Sequence, residues 1–422
     1  MLMNSKLEKK DLGFRLENPF RALKNSLFFY FWIFQAFSLL GNWVDYTLRQ
    51  WLITIIFTNP NYASQFTGNF NLVRFIPSLV LSFFSGIIID RVGYRNVLIV
   101  IHVIDFINSC IITYLVYTNK INGFYLLLFA FISGITMSFY FSARSTFIKN
   151  VIKKEADLTS AFSLQGLTFN LSRVVGPIIG AFLAKNYGLY VGFLFNTISF
   201  IPLILLLSFS KSINSNEIDI SDDKVGKSLN IFEDIKEAFR YIYRNSLILK
   251  SFVSISVVNF FGVSLVSLLQ VFTKELLRGN ISNFSVILSS LGIGAIIGAL
   301  FVASLNPEFV IKFKEEILIF FYGVFYLIIS FFPFSVYYLM FLIGFMQSLL
   351  FGICNNRVQI LTDSFHIARV ISFYSVLNIS LGLLGAFLGG NIAYFIGLLL
   401  VYKIFSSFIL FSAIYIFFLF KK

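Results

Sequence analysis

The chain of 422 residues is 58% hydrophobic and only 13% charged, with a mean hydropathy of +0.84. Soluble domains are roughly 45–50% apolar and about 25% charged, so a water-facing surface is excluded over most of the mass and the chain reads as a polytopic membrane protein. The formal charge of +13 does not point to nucleic acid, because the bases cluster in short loops between apolar runs, where topology accounts for them.

In chain order, the segment Lys6 to Lys24 interleaves Phe14, Leu16, Phe20 and Leu23 with Arg15, Arg21 and Lys24, the pattern of a short interfacial helix. The first apolar run is too long for a signal peptide and lacks a small-residue cleavage site. A helix crosses a bilayer with about 20 apolar residues, and that rule yields twelve spans. The first six are expected near 27–57, 66–89, 97–117, 124–143, 158–184 and 190–209, forming a bundle over 27–209. A polar cytoplasmic linker follows at 210–246, with an amphipathic helix from Asn230 to Arg244 whose Ile231, Phe232, Ile235, Phe239 and Ile242 share one side. The second six are expected near 247–272, 284–305, 317–332, 336–361, 370–395 and 398–420, forming a bundle over 247–420. Within the linker, Ser221 to Ser228 ends like a phosphate-binding loop but lacks the first glycine and a preceding strand, so an ATPase is rejected. The fold class is therefore all-α, two six-helix bundles behind a short N-terminal segment, 1–26.

The bases Lys9, Arg15, Arg91, Arg95, Lys149, Lys153, Lys312, Arg369 and Lys421 fall on one side, and the positive-inside rule puts that side, both termini and the linker in the cytoplasm. The halves echo each other. Arg144-Ser-Thr-Phe-Ile closes span four as Arg357-Val-Gln-Ile-Leu closes span ten, and Gly176-Pro177-Ile-Ile-Gly180-Ala-Phe-Leu answers Gly385-Ala-Phe-Leu-Gly389-Gly390. These echoes favour a duplicated six-helix unit.

Between spans two and three lies the polar island Gly86-Ile-Ile-Ile-Asp90-Arg91-Val-Gly93-Tyr-Arg95-Asn96. Gly86 permits close backbone approach and Gly93 a turn with positive φ. Asp90 can accept from a helix N-terminus or from Arg144, and Arg91 and Arg95 can meet acids or lipid phosphates. This spacing resembles the signature loop of the major facilitator superfamily, and twelve spans, a long middle linker and paired halves carry the resemblance over the whole chain. Ser142-Ala-Arg144-Ser-Thr-Phe-Ile, Asn170-Leu-Ser-Arg173-Val-Val-Gly176-Pro177 and Phe195-Asn-Thr-Ile-Ser-Phe200 further resemble its macrolide-efflux and enterobactin-exporter branch. Asn96 departs from the pattern, and the corresponding second-half loop, Asn306 to Glu316, has lost it. The resemblance implies a cytoplasmic gate of Gly86, Asp90, Arg91, Gly93, Arg95 and Arg144, built on one side only. Gly176, Pro177 and Gly180 resemble the helix-bend motif of exporters; simple helix packing is the alternative.

Ionisable groups inside spans are costly and point to function. Asp45 and Arg49 stand four apart on one helical face and are the candidates for carrying a proton; a permanent structural pair is the alternative. Gln50, Arg74, Asn170, Arg173, Asn259, Gln347, Asn355 and Asn378 are candidates for the cavity wall, and Asp105 reads as packing or interfacial. His102 and His366 have no metal-ligand spacing, Cys110 and Cys354 are expected as free thiols, and no cofactor is expected. The reading is a secondary transporter of the inner membrane, expected to work as a monomer among membrane lipids. It would exchange protons for a small lipophilic or amphipathic compound, drug- or siderophore-like. An importer or lipid flippase of the same fold is the alternative. A membrane enzyme lacks a G-x-S-x-G or H-E-x-x-H motif, and a non-transporting receptor would use the linker.

Overall fold

The computed structural model describes residues 20–210, 231–363 and 366–420. The remainder of the expected N-terminal interfacial helix, most of the linker and the segment Ser221 to Ser228 lie outside the described residues. Phe20 leads into a single 3-10 turn, Arg21–Lys24.

The first half contains α1 (Ser26–Ile56), α2 (Pro60–Val92), α3 (Tyr94–Tyr117), α4 (Gly123–Val151), α5 (Glu155–Tyr187) and α6 (Leu189–Phe209). A separate helix, α7 (Ile231–Arg244), precedes the second half. There the seventh span is composite: α8 (Ser246–Val257), a π-helical turn at Val258–Val263, α9 (Ser264–Ser267) and α10 (Leu269–Glu275). It continues with α11 (Ile281–Ala303), the short α12 (Pro307–Lys312), α13 (Glu316–Phe331), α14 (Val336–Leu361), α15 (Ile367–Ile396) and α16 (Leu398–Leu419). Among the described residues ten helices are long and apolar enough to cross a membrane, α2 adds a bent span and α13 a shorter apolar helix. Together they supply the twelve expected.

Local chemistry sets the helix ends. Asn25, Asn59, Asn122, Asn245, Asn280 and Asn306 cap α1, α2, α4, α8, α11 and α12 through their side-chain oxygens. Such caps satisfy backbone donors that the helix leaves free and that hydrocarbon would not solvate. Single glycines with positive φ turn α2 into α3 (Gly93, 87°), α5 into α6 (Gly188, 98°) and α15 into α16 (Gly397, 85°). The polar island is thus not a loop: Gly86 to Val92 is the last two turns of α2, and the connection is Gly93 alone. α2 bends by 63° between Pro60–Ser82 and Phe84–Val92. At the bend the hydroxyls of Ser82 and Ser85 donate to the carbonyls three residues back, Leu79 and Ser82, taking over backbone acceptors that a kink releases. α4 runs to Val151, two turns past Arg144, so Arg144 sits inside the span rather than closing it.

The internal echo survives in packing. A Cβ at Gly176 would come within 2.4 Å of Trp43 Cβ on α1, and one at Gly385 within 1.9 Å of the Phe260 carbonyl on the seventh span. The fifth helix of each half therefore lies on the first helix of that half through an equivalent glycine. α5 continues unbroken through Pro177, so the Gly176–Gly180 segment acts here as a packing face and not as a break. In lipid such close contact, rather than water exclusion, holds helices together.

The strong contacts between the halves, α2 with α15, α5 with α11, and α1 and α2 with α10, run from mid-helix toward one end: Val174 meets Ser289 near the middle of α5, and Gly390 meets Ser64 near the start of α2. That end is the distal face, away from the chain ends. One continuous core runs from Val44, Trp51 and Phe70 of the first half into Phe272, Phe284 and Tyr402 of the second. A separate core of Phe28, Phe31, Leu98 and Phe147 belongs to the first half alone. The halves are joined toward the distal face and have no strong contacts at the opposite face, where α1 begins and α16 ends, the terminal face.

Candidate functional site

The charged groups of the first half meet where α1, α2, α3 and α4 converge. Asp45 accepts from Arg49 Nε at 2.7 Å, and Arg49 is only 5% exposed. The (i, i+4) spacing produces this contact as expected. Oδ1 of Asp45 and Nη1 of Arg49 stay buried without a hydrogen-bond partner, so the pair is incompletely satisfied. Arg74 lies over the Tyr46 ring at 5.6 Å and feels the charges of Asp45, Arg49 and Asp105. Gln50 is buried beside Tyr46. Asp105 accepts from Thr136 Oγ1 at 2.7 Å and lies near the same charges. Tyr46 and Thr136 carry no signal in the sequence. Both residue types are common in membrane helices, and only their position beside charge marks them.

On α5, Ser163, Gly166, Asn170 and Arg173 form a stripe at helical spacing, all at least partly exposed, while Val175, Ile178 and Phe182 cover a different face. The neighbouring Val174 packs against α11, its carbonyl accepting from Ser289 at 2.8 Å, so the stripe points into the space between the halves. Asn170 donates to the Gly166 carbonyl at 2.9 Å, and Arg173 has no hydrogen-bond or ion-pair partner among the described residues.

The facing wall is neutral. A cavity of about 400 Å³ in the second half is lined by Ser348, Phe351, Asn355, Tyr374, Ser375 and Asn378, among others. Asn259, on the π-helical turn, donates to Asn378 at 2.8 Å; such turns redirect side chains and gather at functional sites. Gln347 sits half-buried on α14 beside Ser348.

Polar contacts, with no ion pair among the described residues, join the halves at the distal seal. Gln270 donates to Thr67 at 2.9 Å, Gln65 to Asn391 at 3.2 Å, Asn391 to Asn69 at 3.3 Å, and Lys274 to the Thr54 carbonyl. The rings of Tyr62 and Tyr394 stack edge-on at 5.1 Å. None of these residues announces its partner in sequence, because the two members of each pair lie far apart along the chain, one in each half.

At the terminal face the expected gate residues are apart. Gly86, Asp90 and Arg91 are exposed, and a Cβ at Gly86 would meet nothing within 4 Å. Among the described residues Asp90 forms no ion pair. Arg144 instead lies over Tyr140 at 5.1 Å and Phe141 at 5.3 Å, with Nε buried and unbonded. Arg95 donates to the carbonyls of Leu207 and Ser208 at 2.7 and 3.0 Å, tying off the C-terminus of α6. The second half lacks the pattern, as read, yet it has an ionic network there built from other residues. Arg357 pairs with Glu315 at 2.7 Å and Lys250 with Glu316 at 2.7 Å, Arg357 and Glu315 being fully buried. Its acids, Glu315 and Glu316, stand at the end of the Asn306–Glu316 segment and pair with bases from α8 and α14, so the spacing of the first-half motif misses them.

Outside the membrane, α7 docks on the start of α15. Arg369 pairs with Glu237, and Tyr241 stacks on His366 at 4.3 Å. Asp363 accepts from the His366 backbone N at 2.9 Å and from its ring, and these bonds hold its carboxyl below the ordinary value. Ile242 is buried as expected, but Phe239 is 58% exposed, because the dock runs through Tyr241. His102 bonds the Leu98 carbonyl at 2.7 Å, and Cys110 and Cys354 are free.

Residues 17–421 match the family model described as transmembrane secretion effector. The chain is 24% identical over 273 residues to the staphyloferrin A transporter of Staphylococcus aureus (strain NCTC 8325 / PS 47), over 64% of this chain and 65% of that relative, just under two thirds of its length. Among solved structures, the nucleoside transporter NupG superposes with a TM-score of 0.68 at 13% identity, covering 94% of this chain and 99% of that one. A bacterial homologue of the human lysosomal transporter Spinster, inward-facing and unoccupied, superposes at 0.69 and 13%, covering 94% and 97%. A D-xylose–proton symporter superposes at 0.65 and 12%, covering 92% and 97%. These likenesses show the fold. With the match over nearly its whole length, the chain belongs to the transmembrane secretion effector family of major facilitator transporters: it is a transporter and not an enzyme.

Proposed function

We propose that this transporter exports a small siderophore-like compound from the cytoplasm in exchange for protons. The observations that support it are a polar cavity in the second half, strong contacts between the halves toward the distal face, and an incompletely satisfied Asp45–Arg49 pair buried in the first half. The terminal face is the cytoplasmic one, as the clustering of bases there indicates, and the membrane is the cell's inner one. The secretion-effector family and the staphyloferrin A transporter support export and cargo class, and the D-xylose–proton symporter, a proton-coupled protein of the same fold, supports the coupling ion. The polar wall of Asn355, Asn378 and Ser375 suits a hydrogen-bonding cargo better than a purely lipophilic drug.

In the cycle, cargo enters from the cytoplasm and the distal seal parts as the terminal face closes. The site then opens outward. Asp45 takes a proton on the outward side and releases it inward, as a carboxylate can when its hydration and its distance from Arg49 change. Asp90 and Arg91 on the last turns of α2 and Arg144 on α4 come together on closure and hold the state opposite to this one. The protein works as a monomer in this scheme.

Everted membrane vesicles test it. With an acidified lumen, staphyloferrin A supplied outside should accumulate, and an uncoupler should abolish accumulation. Asp45→Asn should leave only downhill flux. Gradient-driven accumulation that persists in Asp45→Asn removes Asp45 from the coupling, and accumulation indifferent to the uncoupler removes the proton.

A further inference from the structure

We infer that the face of α7 turned away from the bundle is a docking surface for anionic phospholipid headgroups of the leaflet at the terminal face. Lys236, Phe239, Arg240 and Tyr243 stand at i, i+3, i+4 and i+7 of the helix and so share one face. All four are exposed, Phe239 by 58% and Tyr243 by 70%. The bundle takes the other side: Glu237 pairs with Arg369, the Tyr241 ring stacks on His366 at 4.3 Å, and Ile242 is buried. Glu237 is thereby engaged, and among the described side chains no acid shares the exposed face with Lys236 and Arg240.

Three span ends fix the height of α7. Asn245 alone separates its last residue, Arg244, from the span Ser246–Ser267. Glu237 reaches Arg369, where the span Arg369–Ile396 begins. The Tyr241 hydroxyl donates at 3.5 Å to the carbonyl of Leu361, where the span Pro333–Leu361 ends. From Glu237 to Arg244, roughly 10 Å at 1.5 Å per residue, the helix therefore runs along the membrane surface and not out into water. Two large aromatics are costly to leave in water, and at this height they meet the interface that such rings favour. Bases beside them meet phosphates, the combination that holds amphipathic helices on anionic leaflets. A zwitterionic surface would satisfy the rings but leave the bases without a net counter-charge. The surface also bears on the cavity, because α7 grips α15 at Arg369 and the wall residues Tyr374, Ser375 and Asn378 follow on the same helix. Leaflet charge thus acts on a wall helix through α7.

Hydrogen exchange of the purified full-length protein in nanodiscs tests the surface. One set of discs is phosphatidylcholine alone, and the other contains phosphatidylglycerol as well. The α7 amides should exchange more slowly with phosphatidylglycerol present, by about fivefold for each base that meets a headgroup, and the gain should shrink in high salt. Lys236→Gln combined with Arg240→Gln should remove the gain and leave protection in phosphatidylcholine unchanged, because the dock through Glu237 and Tyr241 does not use these bases. Phe239→Ser should lower protection in both lipids. Equal protection in the two compositions overturns the inference and gives the face to another part of this chain or to a soluble partner. A gain that survives the double substitution overturns it too. Inorganic phosphate that reproduces the gain in phosphatidylcholine discs overturns the lipid assignment. If the double variant fails to fold, the wild-type comparison of the two lipids still decides. Neither cargo nor a proton gradient enters the measurement, so its outcome is independent of the export reading.

Discussion

Gly390→Val should loosen the distal seal and shift the protein toward its outward-open state. In the sealed structure a Cβ at Gly390 would lie 2.4 Å from the Ser64 carbonyl and 3.0 Å from the Gly68 nitrogen, both on α2. These are backbone atoms and cannot rotate away, so α2 and α15 must part by about 1 Å to restore an ordinary contact. Overpacking of this kind costs about 1–3 kcal/mol, charged only to the sealed state, and that corresponds to roughly a 5–150-fold change in the equilibrium. A seal populated 99:1 would fall to between about 95% and about 40% sealed. Spin labels at Asn61 and Phe395, beside the stacked Tyr62 and Tyr394, would report the distance across the seal in a background lacking the two native cysteines. A longer-distance population should appear in Gly390→Val. Gly86→Val should not produce it, because nothing in the sealed state stands within 4 Å of a Cβ there. An unchanged distribution in Gly390→Val would refute the argument that the α2–α15 contact holds the seal.

Further outcomes follow from the ionic clusters. Arg357→Met should destabilise the second half by about 3 kcal/mol, since it removes the 2.7 Å partner of the fully buried Glu315 and leaves it only Lys250 at 3.7 Å. Adding Glu315→Gln should recover much of that loss, and strict additivity of the two changes in thermal denaturation would contradict the pairing. Asp363→Asn should raise hydrogen exchange at the start of α15 near neutral pH. Its carboxyl is held low by bonds from His366, so the ionised form contributes order above the ordinary carboxylate value of about 4, and the contribution is lost as pH falls through the lowered one. Acidifying the wild type from pH 7 to 5 should therefore leave this contribution of Asp363 in place; a mutant-like rise across that interval would count against it.

The membrane architecture was legible because hydropathy is a local property. Runs of about 20 apolar residues must become helices in hydrocarbon, where backbone groups have no other partner. Asp45 and Arg49 were legible for a similar reason, being one helical turn apart. The polar island was recognisable as a pattern, but its conformation was not: Gly86 to Val92 continue α2 beyond a 63° bend, and one glycine makes the turn. The surroundings of Asp105 were not legible, because Thr136 and the charges of Arg49 and Arg74 come from other helices. The second-half ionic network was missed because Lys250, Glu315 and Arg357 are scattered along the chain and match no motif.

Sequence alone therefore determined the spans, the duplicated halves and which residue types are out of place in lipid, all consequences of composition and helical period. Only the tertiary structure decided which face is sealed and that Arg144 stacks on aromatics while Asp90 stands free of it. It also decided that Arg173 has no hydrogen-bond or ion-pair partner among the described residues. Those are relations between helices, set by how two bundles meet, and no spacing along one chain encodes the angle between them.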